Sequence, residues 1–315
     1  MQDNKDRRCF IAGGAGFIGS HLVDRLLKTG SVTVYDDLSS GKLDFIRHHL
    51  KQENFNFIRG DILDKGALRE AIAGHDVVFH LAANPEVRAG IEATDLDLRE
   101  GPTATWSVLE AMRLSHIKKL VFTSSSTVYG DAGTTPVSED YGPLVPISLY
   151  GAAKLGSEAL IAAFCHLFDM QAWCFRLANI VGARLTHGVI YDLINKLGRD
   201  PKHLEILGDG EQQKPYLHVF DGVSGMLFGL EHAHEALNIF NLGPTSSTSV
   251  TAIASMVAET MGLPGVKFEF TGGRQGWRGD VPQVRLDVTR ILRLGWQPRY
   301  TSDEAVRESI RVMIG

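Results

Sequence analysis

Cysteine is scarce in this chain, with three in 315 residues. Cys9, Cys165 and Cys174 lie in apolar or helical contexts without metal-ligand spacing, so they read as reduced core residues, which fits a cytoplasmic protein. The 12 histidines include no HExxH. Neither His48-His49 nor His232-Ala233-His234 has cysteine or carboxylate partners in a zinc pattern, so these read as surface residues and no metal is expected. Long apolar runs are missing, which argues against a membrane-spanning helix, and the opening MQDNKDRR lacks the apolar core of a secretory signal. Positive charge is not in excess: 32 Lys and Arg face 37 Asp and Glu, for a net charge of −5. That balance argues against a general nucleic-acid binder. There is no low-complexity linker and no internal repeat. The remaining composition, 44% apolar and 22% charged, is that of an ordinary globular chain long enough for one large domain or two.

Glycine, by contrast, is placed with a pattern. GGAGFIGS follows the apolar run Cys9–Ala12 and puts glycines at Gly13, Gly16 and Gly19, with a helical stretch from Phe17 and Ile18 onward. Such a strand-to-helix turn lets backbone amides approach a pyrophosphate, although many glycine-rich turns bind nothing. The next apolar strand ends at Asp36, close to the ~20-residue offset at which a carboxylate meets an adenosine ribose. Asp36 would repel a 2′-phosphate and Asp37 adds to that repulsion, so NAD is favoured over NADP; a solvated strand-end Asp is the plain alternative.

Downstream, Tyr150 and Lys154 in YGAAK stand four apart on one helix face, preceded by TSSSTVYG from Thr123 to Gly130. A tyrosine acting at neutral pH must drop ~3 units from ~10, or ~4 kcal/mol, and an adjacent ammonium works in that direction. On its own the pair would read as an ordinary helix surface pair.

Apolar runs alternate with helical stretches through the first half. Strands are expected at Cys9–Ala12, Val32–Tyr35, Phe55–Arg59, Val77–Leu81, Leu120–Thr123 and Gln171–Leu177. Helices are expected at Phe17–Thr29, Lys65–Ile72, about Asp95–Leu114, Leu149–Phe168 and near Asp303–Met313. The alternation predicts an α/β fold, a Rossmann-type doubly wound parallel sheet with ligands at the strands' carboxyl ends. Asp61-Ile62 would then sit against the adenine, and Leu81-Ala82-Ala83 along the cofactor. Residues 1–177 read as the dinucleotide domain, with later segments returning to it. Residues 178–315 read as mainly a smaller, interleaved substrate-binding domain.

From Cys9 nearly to its end the chain resembles the extended short-chain dehydrogenase/reductases, specifically NAD-dependent nucleotide-sugar epimerases of the UDP-glucose (UDP-galactose) 4-epimerase type. GGAGFIGSHL, YDDLSSG, GDILD, VVFHLAANPEVR, VFTSSSTVYGD, YGAAK, RLANIVGARLTHGVIYDLI, LGDGEQQKPYLHVFD, NLG and GWRGDV carry the likeness. The resemblance implies Tyr150 as general base, Lys154 as its charged neighbour and Ser125 as the serine sharing the sugar hydroxyl, beside Ser124, Ser126 and Thr127. It extends the cofactor set to Ser40 and Gly41. For a UDP-hexose it implies Asn179, His187, Gly188, Val189, Lys214, Arg274, Arg278 and Asp280, and it implies a homodimer through the helices about Asp95–Leu114 and Leu149–Phe168.

Two departures stand out. Related dehydratases carry an Asp-Glu pair before VYG and decarboxylating relatives a Glu; here Ser126 and Thr127 stand there, so elimination is disfavoured. Relatives carry asparagine near Arg99, Asn-Gly where Glu100-Gly101 stand and usually arginine where Lys214 stands, and Pro102 is expected to delay or kink its helix. Epimerases of UDP-glucuronate, UDP-N-acetylhexosamine or CDP-sugars, and reductases, remain open alternatives.

Overall fold

The computed structural model describes residues 7–315. Most of the charged start MQDNKDRR therefore lies outside the described residues. The elements of the first half are β1 (Arg8–Ala12), α1 (Phe17–Leu26), β2 (Ser31–Asp36), β3 (Phe55–Arg59), α2 (Lys65–Ile72), β4 (Val77–His80), α3 (Leu96–Leu98), α4 (Ala104–Leu114) and β5 (Lys119–Ser125). There follow α5 (Leu149–Phe168), β6 (Gln171–Leu177), β7 (Asn179–Val181), α6 (Val189–Arg199), β8 (His203–Ile206), β9 (Gln213–Lys214) and β10 (Tyr216–His218). The chain ends with α7 (Val219–His232), β11 (Leu237–Leu242), β12 (Thr248–Ser249), α8 (Val250–Thr260), β13 (Lys267–Phe270), α9 (Thr289–Arg293) and α10 (Ser302–Ile314).

Seven strands form one sheet in the order β11-β6-β5-β4-β1-β2-β3. β1 pairs in parallel with β2 on one side and β4 on the other, β2 with β3, and β4 with β5. The strand order therefore reverses at β1, and the crevice beyond its carboxyl end is where an open α/β sheet binds ligands. β1 and β4 read as short unbroken apolar runs because sheet strands covered on both faces need no polar side.

Two compact units are present. One comprises the chain up to Ser124 with Ala152–Phe175 and Met226–Ile239; the other comprises Ser125–Gly151, Arg176–Gly225 and Phe240–Gly315. The first buries Leu68 and Ile72 of α2, Val108 and Met112 of α4 and Ile161 of α5 against Phe10, Val78, Leu120 and Phe122 of the sheet. The second has its own core, in which Ile190, Leu193 and Leu197 of α6 pack with Ile253 and Val257 of α8 and Val306 and Ile310 of α10.

The helix expected over about Asp95–Leu114 is interrupted rather than delayed. α3 runs into a π turn over Arg99–Thr103 that contains Pro102, and α4 continues from it. A proline inside a helix has no N–H to donate and its ring crowds the preceding turn; the wider turn absorbs both. This turn packs tightly: a Cβ on Gly101 would meet that of Ala153 at 2.7 Å, and one on Gly156 would meet the Pro102 ring at 3.3 Å.

The histidine reading needs a correction. His49 is buried, and Asp24 Oδ1 lies 3.1 Å from His48 Nε2 and 2.6 Å from His49 Nε2. The carboxylate partner comes from α1, a separation that spacing along the chain does not reveal. All three cysteines are free and buried, and burial pushes the Cys9 thiol up to about 12 and that of Cys165 to about 11.

Candidate functional site

The glycine turn is held by backbone on both sides. Gly13 N donates to Tyr35 O of β2, and Leu81 N and Ala82 N both donate to Ala12 O. Gly13 has φ +83°, and a Cβ there would stand 2.6 Å from Ala82 N. Gly16 precedes α1, and no side chain caps this N-terminus, where Phe17 and Ile18 are half-buried. A Cβ on Gly19 would meet Gly13 O at 2.2 Å and Gly14 Cα at 2.8 Å. Backbone lies in both directions, so the turn would have to open. Gly19→Ala is expected to leave purified protein with less than a tenth of the wild-type dinucleotide content, read by acid release; retention of wild-type content would refute the role given to this turn.

Asp36 ends β2 nearly buried. Its Oδ2 accepts from Ala15 N at 2.9 Å and its Oδ1 from Leu38 N at 2.9 Å. Burial raises its pKa, with those two backbone bonds opposing. Gly41 lets the following loop cross the carboxylate, since a Cβ there would stand 2.7 Å from Asp36 Oδ1, and Lys42 N returns to Ala15 O. Asp37 and Ser40 are exposed beside it. Asp61 is placed by Tyr35, whose hydroxyl donates to Asp61 O at 3.1 Å, with Ile62 half-buried next to it. Burial raises the pKa of Glu100, and Asp37, Asp97 and Asp61 push it the same way. Asp36, Asp37, Asp61 and Glu100 thus set up a negative field that disfavours an added phosphate. The exposed Arg99 pairs with Asp95 at 2.9 Å.

These features fit a dinucleotide: an uncapped helix N-terminus behind a turn that any Cβ would fill, and a carboxylate at the end of the adjacent strand. Leu81, Ala82 and Ala83 follow β4, half-buried. Lys154 is buried, with Nζ donating to Thr123 O at 2.7 Å and standing 4.9 Å from the Phe122 ring centroid. Desolvation pulls it down to about 8, while Glu158 and Asp97 oppose that shift. Ser124 Oγ donates to Glu158 Oε1 at 2.5 Å. His80, fully buried and pushed down to about 3, stays neutral and bonds Thr105, which donates to Ser157.

In the second unit Ser125 caps a 3₁₀ turn over Ser126–Tyr129. Its Oγ accepts from Thr127 N at 3.2 Å and from Thr127 Oγ1 at 3.0 Å, so its own proton points elsewhere. Ser126 is buried. A Cβ on Gly151 would stand 2.8 Å from Thr127 O, so the first turn of α5, with half-buried Tyr150, abuts the serine turn. Tyr150, Lys154 and Glu158 follow at intervals of four on α5.

Asn179 is exposed on β7 and bonds the Tyr216 hydroxyl across the β7–β10 pair. His187 and Gly188 precede α6, whose N-terminus at Val189 carries no side-chain cap. Lys214 and Asp280 are paired at 2.5 Å, and Asp280 Oδ2 also accepts from Gly276 N. Arg274 and Arg278 are exposed in the same loop. Spacing alone did not find Glu158, although its i+4 relation to Lys154 was a usable signal. It also missed the buried network in which Arg176 donates to the Tyr129 hydroxyl, that hydroxyl donates to Asn241 Oδ1, and Asn241 N donates to Glu139.

The model of the NAD dependent epimerase/dehydratase family matches residues 9–243. The chain is 34% identical to a UDP-glucose 4-epimerase of Mycolicibacterium smegmatis, covering 96% of this chain and 97% of that one. It is 31% identical to a UDP-N-acetyl-alpha-D-glucosaminuronate decarboxylase of Bacillus cytotoxicus, covering 97% of each. A crystal structure of a UDP-galactose 4-epimerase superposes with a TM-score of 0.87 at 40% identity, covering 97% of this chain and 98% of that one. Among the described residues no helix is long and apolar enough to cross a membrane.

Proposed function

Because the chain belongs to the NAD-dependent epimerase/dehydratase family of nucleotide-sugar enzymes, we propose that it inverts carbon 4 of a nucleotide-bound hexose, with UDP-glucose and UDP-galactose as the pair. The observation that carries this reading is the serine turn: Ser125 is followed by Ser126 and Thr127, and no carboxylate stands there to expel water or assist decarboxylation. NAD is the cofactor, and when bound it supplies the reversible two-electron acceptor that a 4-keto sugar requires. Gly13, Gly16, Gly19, Asp36 and Lys154 would hold it.

Tyr150 takes the proton of the 4-hydroxyl and returns it after the sugar has turned over. Ser125 donates its remaining proton to the same oxygen. Lys154 keeps positive charge one turn from the phenol. The nucleotide and sugar fall to Ser126, Thr127, Asn179, His187, Gly188, Val189, Arg274, Arg278 and the Lys214–Asp280 pair. Lys214 meets phosphate as a point charge and must leave Asp280 in part to do so. This assigns the dinucleotide mainly to residues 1–177 and the nucleotide sugar mainly to 178–315. A homodimer through α4 and α5 belongs to the same proposal, supported by the exposed Leu114 and Leu167 on those helices.

The test is incubation with UDP-glucose, UDP-galactose, UDP-N-acetylglucosamine, UDP-glucuronate, CDP-glucose and dTDP-glucose, resolving C4 isomers. UDP-glucose and UDP-galactose are expected to interconvert without added cofactor. Release of carbon dioxide, accumulation of a 4-keto-6-deoxy sugar, inversion confined to another sugar, or a requirement for added NADPH would overturn it.

A further inference from the structure

α1 and the segment after β2 flank the glycine turn and Asp36, and they meet at Asp24, His48 and His49. His48 and His49 are adjacent in a 3₁₀ turn, Arg47–His49, where successive side chains diverge by about 120°. Their rings nevertheless come within 3.9 Å, and both Nε2 atoms face one oxygen of Asp24. The one-atom donors of all three residues lie within 4.8 Å of one another. His49 is anchored in the interior beside Phe55, its ring 5.7 Å away, whereas His48 is half-exposed.

We propose that Asp24, His48 and His49 bind a borderline divalent cation, with Zn²⁺ as its representative. Two imidazoles and one carboxylate are the donor set that favours zinc, cobalt or nickel over magnesium or calcium. A metal at ~2.1 Å from each donor needs them about 3.4 Å apart, so Asp24 retreats by less than about 1 Å to admit it. Gln52 completes the arrangement, its side-chain amide 2.9 Å from His49 Nδ1. In the structure it is Gln52 Nε2 that faces Nδ1; metal binding requires the amide to turn over, so that its oxygen accepts the Nδ1 proton and the His49 Nε2 lone pair is left for the metal. The exposed side of His48 leaves the fourth position to water. Such an ion would clasp α1 to the loop that follows β2, stabilising the dinucleotide scaffold without touching the reacting atoms.

The test uses the full chain, free of any affinity tag and stripped with chelator, titrated with ZnCl₂ by calorimetry and thermal melting. One equivalent is expected to bind with a Kd of about 10 μM or tighter and to raise Tm by a few degrees. His48→Ala, a half-exposed change that leaves the core intact, and Asp24→Asn are each expected to weaken binding at least tenfold while turnover stays within twofold of wild type. No binding tighter than about 100 μM, or equal binding in both variants, would overturn the site.

Discussion

Tyr150→Phe is expected to lower kcat at least ~10³-fold while the protein keeps its NAD. The phenol oxygen is the only atom removed, and Tyr150 is half-buried on the first turn of α5, so little packing is lost. A positioned acid–base group contributes ~10²–10⁴ in rate, and in the proposed reaction Tyr150 is assigned both the removal of the 4-hydroxyl proton and its return. Holding tyrosine ionised near neutrality requires about 4 kcal/mol, the equivalent of ~3 pKa units, and that stabilisation is useful only if the oxygen is present. The proposed dinucleotide contacts at the glycine turn, Asp36 and Lys154 are untouched by the substitution. Turnover of UDP-galactose and the bound-NAD absorbance of the same preparation are the two readings. A variant within tenfold of wild type would remove Tyr150 as the base, and loss of NAD would show the residue to be structural.

Most of the sheet was legible because each strand writes its own signal. Phe55–Arg59 and Gln171–Leu177 appear at the expected bounds, and the others differ by one or two residues at an end. The glycine turn was legible because its spacing and the flanking strand and helix are local signals, although the close approach that demands glycine at Gly13 comes from Leu81 and Ala82 after β4. The fold class follows from that alternation. Three features were not legible. The π turn at Arg99–Thr103 depends on Gly101 and Pro102 meeting Ala153 and Gly156 of a helix about 50 residues later, which no local pattern encodes. Asp24 reaches His48 and His49 across a strand. Glu158 drew no notice because a sequence does not state which face of α5 is buried. In each case the missing information is a contact between distant segments, and each involves a polar or small residue whose type alone does not disclose its environment.

Glu158→Gln is expected to destabilise the protein by up to about 2 kcal/mol at pH 6.5, the cost of discharging a lysine of pKa about 8 at that pH, and by almost nothing at pH 9. Glu158 is 5% exposed, and its negative charge opposes the desolvation of Lys154, which lies one turn before it at 4% exposure. His80 is already neutral beside them and cannot take over the charge balance. Removing one member of a buried pair costs ~3–5 kcal/mol when the other must stay charged. The lysine can instead shed its proton, which fixes the sign of the pH dependence. Its folded pKa, about 8 against 10.5 unperturbed, drops further when Glu158 is neutralised. The unfolded chain then binds more protons than the folded one, so the deficit is full at low pH. It shrinks as pH rises and vanishes above about pH 8, where Lys154 is uncharged in both proteins. The same shift should lower kcat at least tenfold at neutral pH and move the alkaline limb of the rate profile downward, because the ammonium that in the proposed mechanism supports a Tyr150 phenolate is lost earlier. Ser124→Ala removes only the 2.5 Å hydrogen bond to Glu158 and should leave that limb in place. Melting curves and rate profiles from pH 6 to 9.5 decide the matter. A deficit independent of pH together with an unmoved limb would make Glu158 a packing residue and would leave the charge of Lys154 to be held by Asp97 alone.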